Sequence, residues 1–177
     1  MILGCDISTT KTGIAIIRVG TGELVHTDVI KLPNKSTLEE RAWIFREEMQ
    51  NVKRQYNIKE VYVEQPFFSG GPNAHTTSIL LRFNGMCCYV LFDVLNKVPI
   101  YINPATARKQ FGISFPRKEK LSTKDKKRKI IEHVQQTYSG TRTPFIYNKT
   151  SFGNPAPGTD DIADAIVLAV SGQNLKK

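Results

Sequence analysis

The hydrophobic and polar positions along this chain predict three strands first, then a mixture of helices and strands. Short apolar runs at residues 2–5 and 13–19, followed by an alternating run at 23–32, are typical of strands. The glycine-containing turn at 20–22 separates the second strand from the third and is typical of a hairpin. The opening of the chain is therefore expected to be an antiparallel meander.

Helical periodicity follows the meander and then alternates with short apolar runs. Apolar residues recur at spacings of three and four through residues 37–56, where Ser36 or Thr37 could cap the helix. The remaining predicted elements are a strand at 61–63, a loop at 67–73, a largely apolar helix at 75–95, a strand at 98–102, a short helix at 104–110, a helix at 122–138, a loop at 140–158 and a helix at 159–171 capped by Thr159. This order predicts an α/β fold with a mixed five-stranded sheet flanked by helices.

Composition narrows the class of protein. The 177 residues suffice for a single domain, 1–177, with a sizeable core. The net charge of +9 favours a polyanionic partner. The three cysteines form no CxxC pair, so neither a zinc site nor a disulfide framework is expected, and a reducing, cytoplasmic location fits. We see no signal peptide and no apolar run long enough to span a membrane, so no membrane association is expected.

Four acidic residues stand at strand ends or on one helix face. Asp6 ends the first predicted strand and Glu64 ends the fourth, while Asp161 and Asp164 lie three apart in the last helix and hence on one face. Carboxylate oxygens suit hard divalent cations such as Mg²⁺. Two such ions, about 3.5–4 Å apart, can activate a water and stabilise the leaving oxygen in phosphodiester hydrolysis. The pattern indicates a metal-dependent nuclease.

Each acid also has an ordinary structural explanation. Asp6 could be a turn residue, and Glu64 could be a solvated residue at the end of a strand. Asp160 and Asp161 fall in the first turn of a helix, where acids complement the helix dipole. Asp164 is harder to explain in this way, because its neighbours are apolar and an acid there needs a partner or a metal ion.

The same residues belong to four segments that resemble, in order, the motifs of the RuvC-like Holliday junction resolvases. The segments are ILGCDISTTKTGIAII, VYVEQPFF, INPATARKQFGI and DDIADAIVLAV. In that family the first catalytic Asp ends the opening strand, the catalytic Glu precedes an aromatic, and the last helix carries an Asp-x-x-Asp-Ala pattern. The match spans nearly the whole chain, and in character the sequence is similar to the compact phage-type members.

The resemblance implies an RNase H-like fold, a homodimer, and symmetric nicking of four-way junctions with Mg²⁺ or Mn²⁺, using two ions per active site. Asp6, Glu64, Asp161 and Asp164 fall on the family's catalytic, metal-binding acids. Asp160 stands four residues before Asp164, so the alignment of the first of the two helix acids is ambiguous. We prefer Asp161, because the family's two acids stand three residues apart. The loop at 140–158 looks longer than in compact bacterial members, so the sequence preference for cleavage does not transfer.

Basic and aromatic residues add a predicted DNA-binding surface. Residues 117–129 contain eight Lys or Arg and only two Asp or Glu, so pairing within the segment cannot neutralise it. Phe67 and Phe68 lie in a glycine-rich loop, and Phe67 matches the aromatic that in the family stacks on bases near the junction centre. Lys109 matches a DNA-contacting lysine, and a second such lysine falls on Lys126 or Lys127. The DNA-binding residues predicted are Phe67, Lys109, Arg117, Lys118, Lys120, Lys124, Lys126 and Lys127.

Two other functions compete with the nuclease hypothesis. A phosphate loop after an Asp-ending strand also occurs in ATP-using proteins of the actin and sugar-kinase fold. That fold needs a second, duplicated domain, so we expect no nucleotide cofactor here. A protein that binds branched DNA without cutting it would keep the same fold, although the presence of all four acids argues against it. The apolar helix at 75–95 is a candidate dimer interface, since its apolar residues exceed one face.

Overall fold

A computed structural model of the protein describes residues 1–67, 73–115 and 121–176. Five strands and five helices lie in these ranges, and their order along the chain agrees with the predicted elements. They are β1 (Ile2–Asp6), β2 (Lys11–Ile17), β3 (Leu24–Lys31), α1 (Leu38–Gln55), β4 (Glu60–Glu64), α2 (Ala74–Leu95), β5 (Ile100–Ile102), α3 (Pro104–Phe111), α4 (Thr123–Tyr138) and α5 (Thr159–Asn174).

The five strands form one mixed sheet in the order β3-β2-β1-β4-β5. The meander is antiparallel, with Asp6 of β1 opposite Gly13 of β2. β4 and β5 run parallel to β1, and Cys5 of β1 stands beside Val63 of β4. Consequently β1 and β4, which carry the first two predicted acids at their last residues, end side by side in the middle of the sheet.

Helices cover both faces of this sheet, as predicted. On one face α1 and α2 pack against side chains such as Leu3 and Val61. On the other face α3, α4 and α5 pack against Ile2 and Tyr62. The alternation of side chains along a strand explains this division, since successive residues point to opposite faces.

Helix α5 lies unusually close to the sheet. A Cβ atom added to Gly13 would stand 2.0 Å from the carbonyl oxygen of Asp161, and one added to Gly4 would stand 2.1 Å from that of Ala165. Real Cβ atoms never approach backbone atoms so closely, so only glycine fits at either position. These two glycines bring the backbone of α5 directly against β1 and β2.

Helix caps differ in part from the predictions. Thr37 caps α1, accepting a hydrogen bond from the Glu40 amide while the Glu40 carboxylate accepts one from the Thr37 amide. Thr159 does not cap α5, which is a correction: Gly158 occupies the N-cap position, and Thr159 is the first helical residue. The Thr159 hydroxyl instead donates to the carbonyl oxygen of Ala156, which ties the helix start to the preceding loop.

Helix α2 also corrects an expectation. Its 22 residues include a stretch with a mean hydropathy of 1.5, so by length and composition alone it is able to cross a membrane. The buried core helices of soluble proteins meet the same criterion, and α2 contributes Phe83, Cys87 and Leu91 to the core against α1. Two large side chains of the same helix, Tyr89 and Phe92, are exposed.

Candidate active site

The first two acids lie on the face of the sheet that α5 covers. Ile2 and Tyr62 point toward that face, and Asp6 and Glu64 follow them at even spacings on the same strands. Because β1 and β4 are parallel neighbours in register, the two carboxylates end adjacent strands at one edge of the sheet. Strand geometry alone is therefore sufficient to bring this pair together.

The other two acids reach the same place from α5. Gly13 is the register partner of Asp6, and the backbone of Asp161 lies directly against Gly13. Asp164 follows one turn later, on the same side of the helix. The close approach of α5 to the meander thus brings Asp161 and Asp164 toward Asp6.

Electrostatic coupling shows that the four carboxyl groups share one environment. Burial raises the pKa of Asp6 well above its usual range, and the charges of Asp164, Glu64 and Asp161 raise it further. Burial likewise raises the pKa of Glu64, of Asp161, and of Asp164, the last to about 6. Such mutual repulsion in a cleft is typical of a site that binds a cation or a proton.

Two cations face this acidic cluster. Arg108 of α3 is the charge that most lowers the pKa of both Glu64 and Asp164, against the larger effect of burial. Lys127 of α4 lowers the pKa of all four acids. Sequence reasoning missed Arg108 and favoured its neighbour Lys109, which is exposed. The sequence does show that the last turn of α3 carries two basic residues, Arg108 and Lys109. It does not show which of them faces the acids.

The structure separates the roles of Asp160 and Asp161. Asp160 forms an ion pair with Lys127, with 2.5 Å between Oδ2 and Nζ. Although burial opposes ionisation, the hydrogen bond from Lys127 lowers the pKa of Asp160, whereas that of Asp161 is raised. Asp161 therefore belongs to the repelling cluster, and Asp160 holds the lysine that faces it.

The donor chemistry of the cluster fits divalent metal ions. Four carboxylates offer only hard oxygen ligands, which are the ligands that Mg²⁺ and Mn²⁺ prefer. Within the described residues, no three His, Cys, Asp or Glu side chains form a ready-made metal cage. The side chains are instead close enough to repel one another.

The predicted DNA-binding residues differ in how far the structure describes them. Phe67 lies just beyond β4 and is 81% exposed. Lys124, Lys126 and Lys127 lie on the exposed side of α4, and Lys127 is coupled to the acids. Phe68, Arg117, Lys118 and Lys120 lie outside the described residues.

The sequence matches a known protein family over more than half of its length. The sequence model of the family described as crossover junction endodeoxyribonuclease RuvC matches residues 2–123. The chain belongs to the RuvC family. The RuvC match includes Asp6, Glu64 and Arg108, but it stops before Asp161 and Asp164. The placement of those two acids rests on the packing of α5.

Solved structures of related proteins have the same fold. Thermus thermophilus RuvC in complex with a Holliday junction substrate is 16% identical, with a TM-score of 0.67 over 99% of this chain and 93% of that one. A second Thermus thermophilus RuvC structure is 17% identical, with a TM-score of 0.65 over 99% and 94%. The yeast mitochondrial Holliday junction resolvase is 10% identical, with a TM-score of 0.61 over 98% and 78%. No curated protein sequence matches the chain. The predicted RNase H-like, RuvC-like fold is therefore confirmed.

Proposed function

We propose that the protein is a structure-selective endonuclease that nicks Holliday junctions and other branched DNA. The observation that carries this proposal is the convergence of four carboxylates from β1, β4 and α5, faced by Arg108 and Lys127. Membership of the RuvC family and similarity to a RuvC solved with a Holliday junction support the choice of substrate.

Asp6, Glu64, Asp161 and Asp164 would hold two Mg²⁺ ions, for which Mn²⁺ could substitute. When bound, these ions supply Lewis-acid activation of water and stabilisation of the leaving oxygen. The acids' own contribution is to keep negative charge at half-buried positions, where burial and mutual repulsion raise their pKa values and so oppose ionisation. A cation relieves that opposition, so the free energy released by its binding is larger than at an exposed acid.

Arg108 and Lys127 supply the positive charge that an anionic substrate needs at this site. A phosphodiester is repelled by a cluster of carboxylates, so an anionic substrate needs positive charge at the edge of the cluster. Arg108 offers a planar guanidinium beside Glu64 and Asp164. Lys127 of α4 offers an ammonium group that an ion pair with Asp160 holds in place. Both groups can donate hydrogen bonds to a DNA phosphate while the acids remain ionised.

Phe67 and the exposed lysines of α4 extend the surface beyond the cleft. The Phe67 side chain follows Glu64 by three residues and is open to a base. Lys124 and Lys126 stand among the predicted DNA contacts on the same helix as Lys127. Phosphate contacts of this kind position a duplex without reading its sequence.

A homodimer would place two active sites on the two-fold symmetric junction. α2, the edge strand β5 and the loop between them expose five large apolar side chains: Tyr89, Phe92, Val98, Ile100 and Tyr101. Such a patch is unusual on a monomer, and a self-complementary contact would bury it. Sedimentation velocity checks this: Tyr89→Glu with Phe92→Glu should give monomers, whereas Trp43→Glu, at an exposed position on α1, should not.

The deciding experiment incubates a labelled four-way junction and a matched linear duplex with the full chain, in Mg²⁺ and in EDTA. We expect paired, metal-dependent nicks in the junction alone. Asp6→Asn should lower the nicking rate by about 1,000-fold or more while binding is kept, since the loss of a metal ligand removes several kcal/mol of transition-state stabilisation.

The same experiment distinguishes the alternative. Junction binding without nicks in Mg²⁺ and in Mn²⁺ would contradict the enzyme proposal and leave a non-catalytic branched-DNA-binding protein. Loss of junction binding in Asp6→Asn, with the fold intact, would assign that acid to DNA binding instead of catalysis.

A further inference from the structure

The long segment between α4 and α5 contains a folded hairpin. The Ala156 amide donates to the carbonyl oxygen of Asn148 at 2.8 Å, and the Thr150 amide donates to that of Asn154 at 2.8 Å. Lys149 and Pro155 form an antiparallel bridge between these two hydrogen bonds. The tip then turns through Gly153, whose φ of 75° favours glycine. The backbone of this segment is thus defined by its own hydrogen bonds.

Phe152 stands at the tip of this hairpin. It is 89% exposed, more than any other large hydrophobic residue in the described part of the chain. Both ends of the segment are anchored, because Phe145 is buried in the core before the hairpin and Thr159 is buried after it. The structure therefore holds an aromatic ring in water at the end of an anchored hairpin.

A groove separates the hairpin from α4 and leads to the acidic cluster. Its volume is about 640 Å³, and one wall is basic, formed by Lys124, Lys127 and Arg128. Asn154 and Pro155 of the hairpin line the groove on the other side, and two acids, Asp125 and Asp160, also belong to its lining. Because Asp160 pairs with Lys127, which is coupled to Asp161 and Asp164, the groove adjoins the acidic cluster.

Phe152 does not line the groove itself, but it stands between two residues that do, Thr150 and Asn154, so the groove and the ring can bind one occupant. Ammonium and guanidinium groups along α4 suit phosphates, and an exposed phenylalanine suits the face of a base. A base inside a duplex is already stacked on both sides and cannot offer its face. An unpaired nucleotide, such as one at a branch point, can do so.

We propose that Phe152 stacks on an unpaired base of branched DNA while Lys124 and its neighbours on α4 bind the adjoining phosphates. This proposal rests on the proposed function, since it names a further contact for the same substrate. The contact is separate from that of Phe67, which follows β4. It gives the long loop before α5 a role in selecting branched over linear DNA.

The test measures binding of the full chain, in EDTA, to a four-way junction carrying 2-aminopurine at the branch point and to a linear duplex of the same sequence. Phe152→Ala should weaken junction binding by about tenfold, or about 1.4 kcal/mol, which is the size expected when one base loses its stacking on an aromatic side chain. Duplex binding should change by less than about twofold. Quenching of the 2-aminopurine fluorescence by the wild-type protein should be lost in this variant.

Matched variants separate stacking from simple apolar contact. Phe152→Trp should keep both affinity and quenching, and Phe152→Leu should lose both. Ile146→Ala, at a 77% exposed position in the same loop, should behave as wild type. Lys124→Ala should weaken junction binding and lower its salt dependence, whereas Lys53→Ala, on α1 at the opposite face of the sheet, should not.

Failure of this proposal is distinguishable from failure of the proposed function. If the wild-type protein binds and nicks junctions, and Phe152→Ala binds them equally well, only the role of the hairpin is overturned. An equal loss on junction and duplex also overturns it, because the contact would then not require an unpaired base. If the wild-type protein shows no preference for the junction, the proposed function fails and this proposal fails with it.

Discussion

The two faces of the sheet are built on opposite principles. Large side chains fill the layer between the sheet and helices α1 and α2, among them Phe45, Met49 and Phe83. On the other face α5 lies against Gly4 and Gly13, with small residues of its own at the contact. The first layer tolerates small shifts of its helices, because flexible side chains stand between the backbones. The second joins backbone to backbone and so determines the position of Asp161 and Asp164.

The comparison also separates two uses of polar groups. On the α1 and α2 face, the ion pair of Arg46 with Asp93 joins the helices at the surface, where such pairs contribute little to stability. On the α5 face, acids stand half-buried beside one another and oppose their own ionisation. The first face is therefore expected to govern stability, and the second to govern the activity at some expense of stability.

Gly13→Ala should have the largest combined effect, because it acts on fold and site together. The added Cβ would collide with the backbone of Asp161, so α5 must move away from β2. We expect a loss of about 3 kcal/mol in the free energy of unfolding and a loss of nicking of about 100-fold. Denaturant unfolding and junction cleavage measure the two effects.

A matched control exists on the other face. Gly85 in α2 has no atom of the chain within 4 Å of an added Cβ, so Gly85→Ala should stabilise the helix by about 0.5–1 kcal/mol. Equal behaviour of the two alanine variants would contradict the backbone contact of α5.

Met49→Ala tests the opposite layer. This fully buried side chain of α1 packs in the apolar cluster away from the acids. Its truncation should cost about 2–5 kcal/mol of stability through lost burial and a residual cavity. Nicking, measured well below the melting temperature, should stay within about twofold of wild type. A comparable fall in activity would mean that the two layers are coupled.

Asp164→Asn should raise the stability of the protein and abolish its activity, whereas Met49→Ala should lower the stability and keep the activity. The folded state raises the pKa of Asp164 to about 6, so it binds a proton more tightly than the unfolded chain does. The stability of the wild-type protein in EDTA should therefore fall as the pH rises from about 4 to about 6. At neutral pH the Asn variant should be more stable in EDTA by about 1–3 kcal/mol, although it no longer nicks DNA.

Mg²⁺ supplies the check on that prediction. Addition of the ion should raise the melting temperature of the wild-type protein more than that of Asp164→Asn. A variant that gains no stability in EDTA, or that responds fully to Mg²⁺, would show that Asp164 is not part of a repelling, cation-binding cluster.

Arg108→Ala should have the smallest of these effects. Arg108 is coupled to Glu64 and Asp164, while Lys109 beside it is exposed. Loss of the guanidinium should lower the nicking rate by about tenfold, which is the size expected for one charge-assisted contact to a phosphate. Lys109→Ala should change mainly the salt dependence of binding. If Lys109→Ala instead slowed nicking, and Arg108→Ala changed mainly the salt dependence, Lys109 would be the DNA-contacting residue, as the sequence predicted.

Much of the fold follows from local patterns. Residues 2–5, 13–19 and 23–32 predicted the meander, and the structure differs from the prediction by one or two residues at most strand ends. The end of α5 was predicted three residues too early, at Ser171, and the missed part of the helix begins with Gly172. The structure explains this residue: a Cβ at Gly172 would stand 2.3 Å from the ring of Tyr62, so contact with the sheet requires glycine.

The sequence by itself determined where Asp6 and Glu64 lie, because strand periodicity and the ends of apolar runs are local properties. It did not decide between neighbouring residues on three helices: Asp160 or Asp161, Lys126 or Lys127, and Arg108 or Lys109. In the last pair, the prediction considered Lys109 alone. Successive residues on a helix point about 100° apart, since there are 3.6 residues per turn. The rotation of each helix against the sheet therefore decides which neighbour faces the acids. Contacts such as that of α5 with Gly4 and Gly13 determine that rotation, and only the tertiary structure contains them.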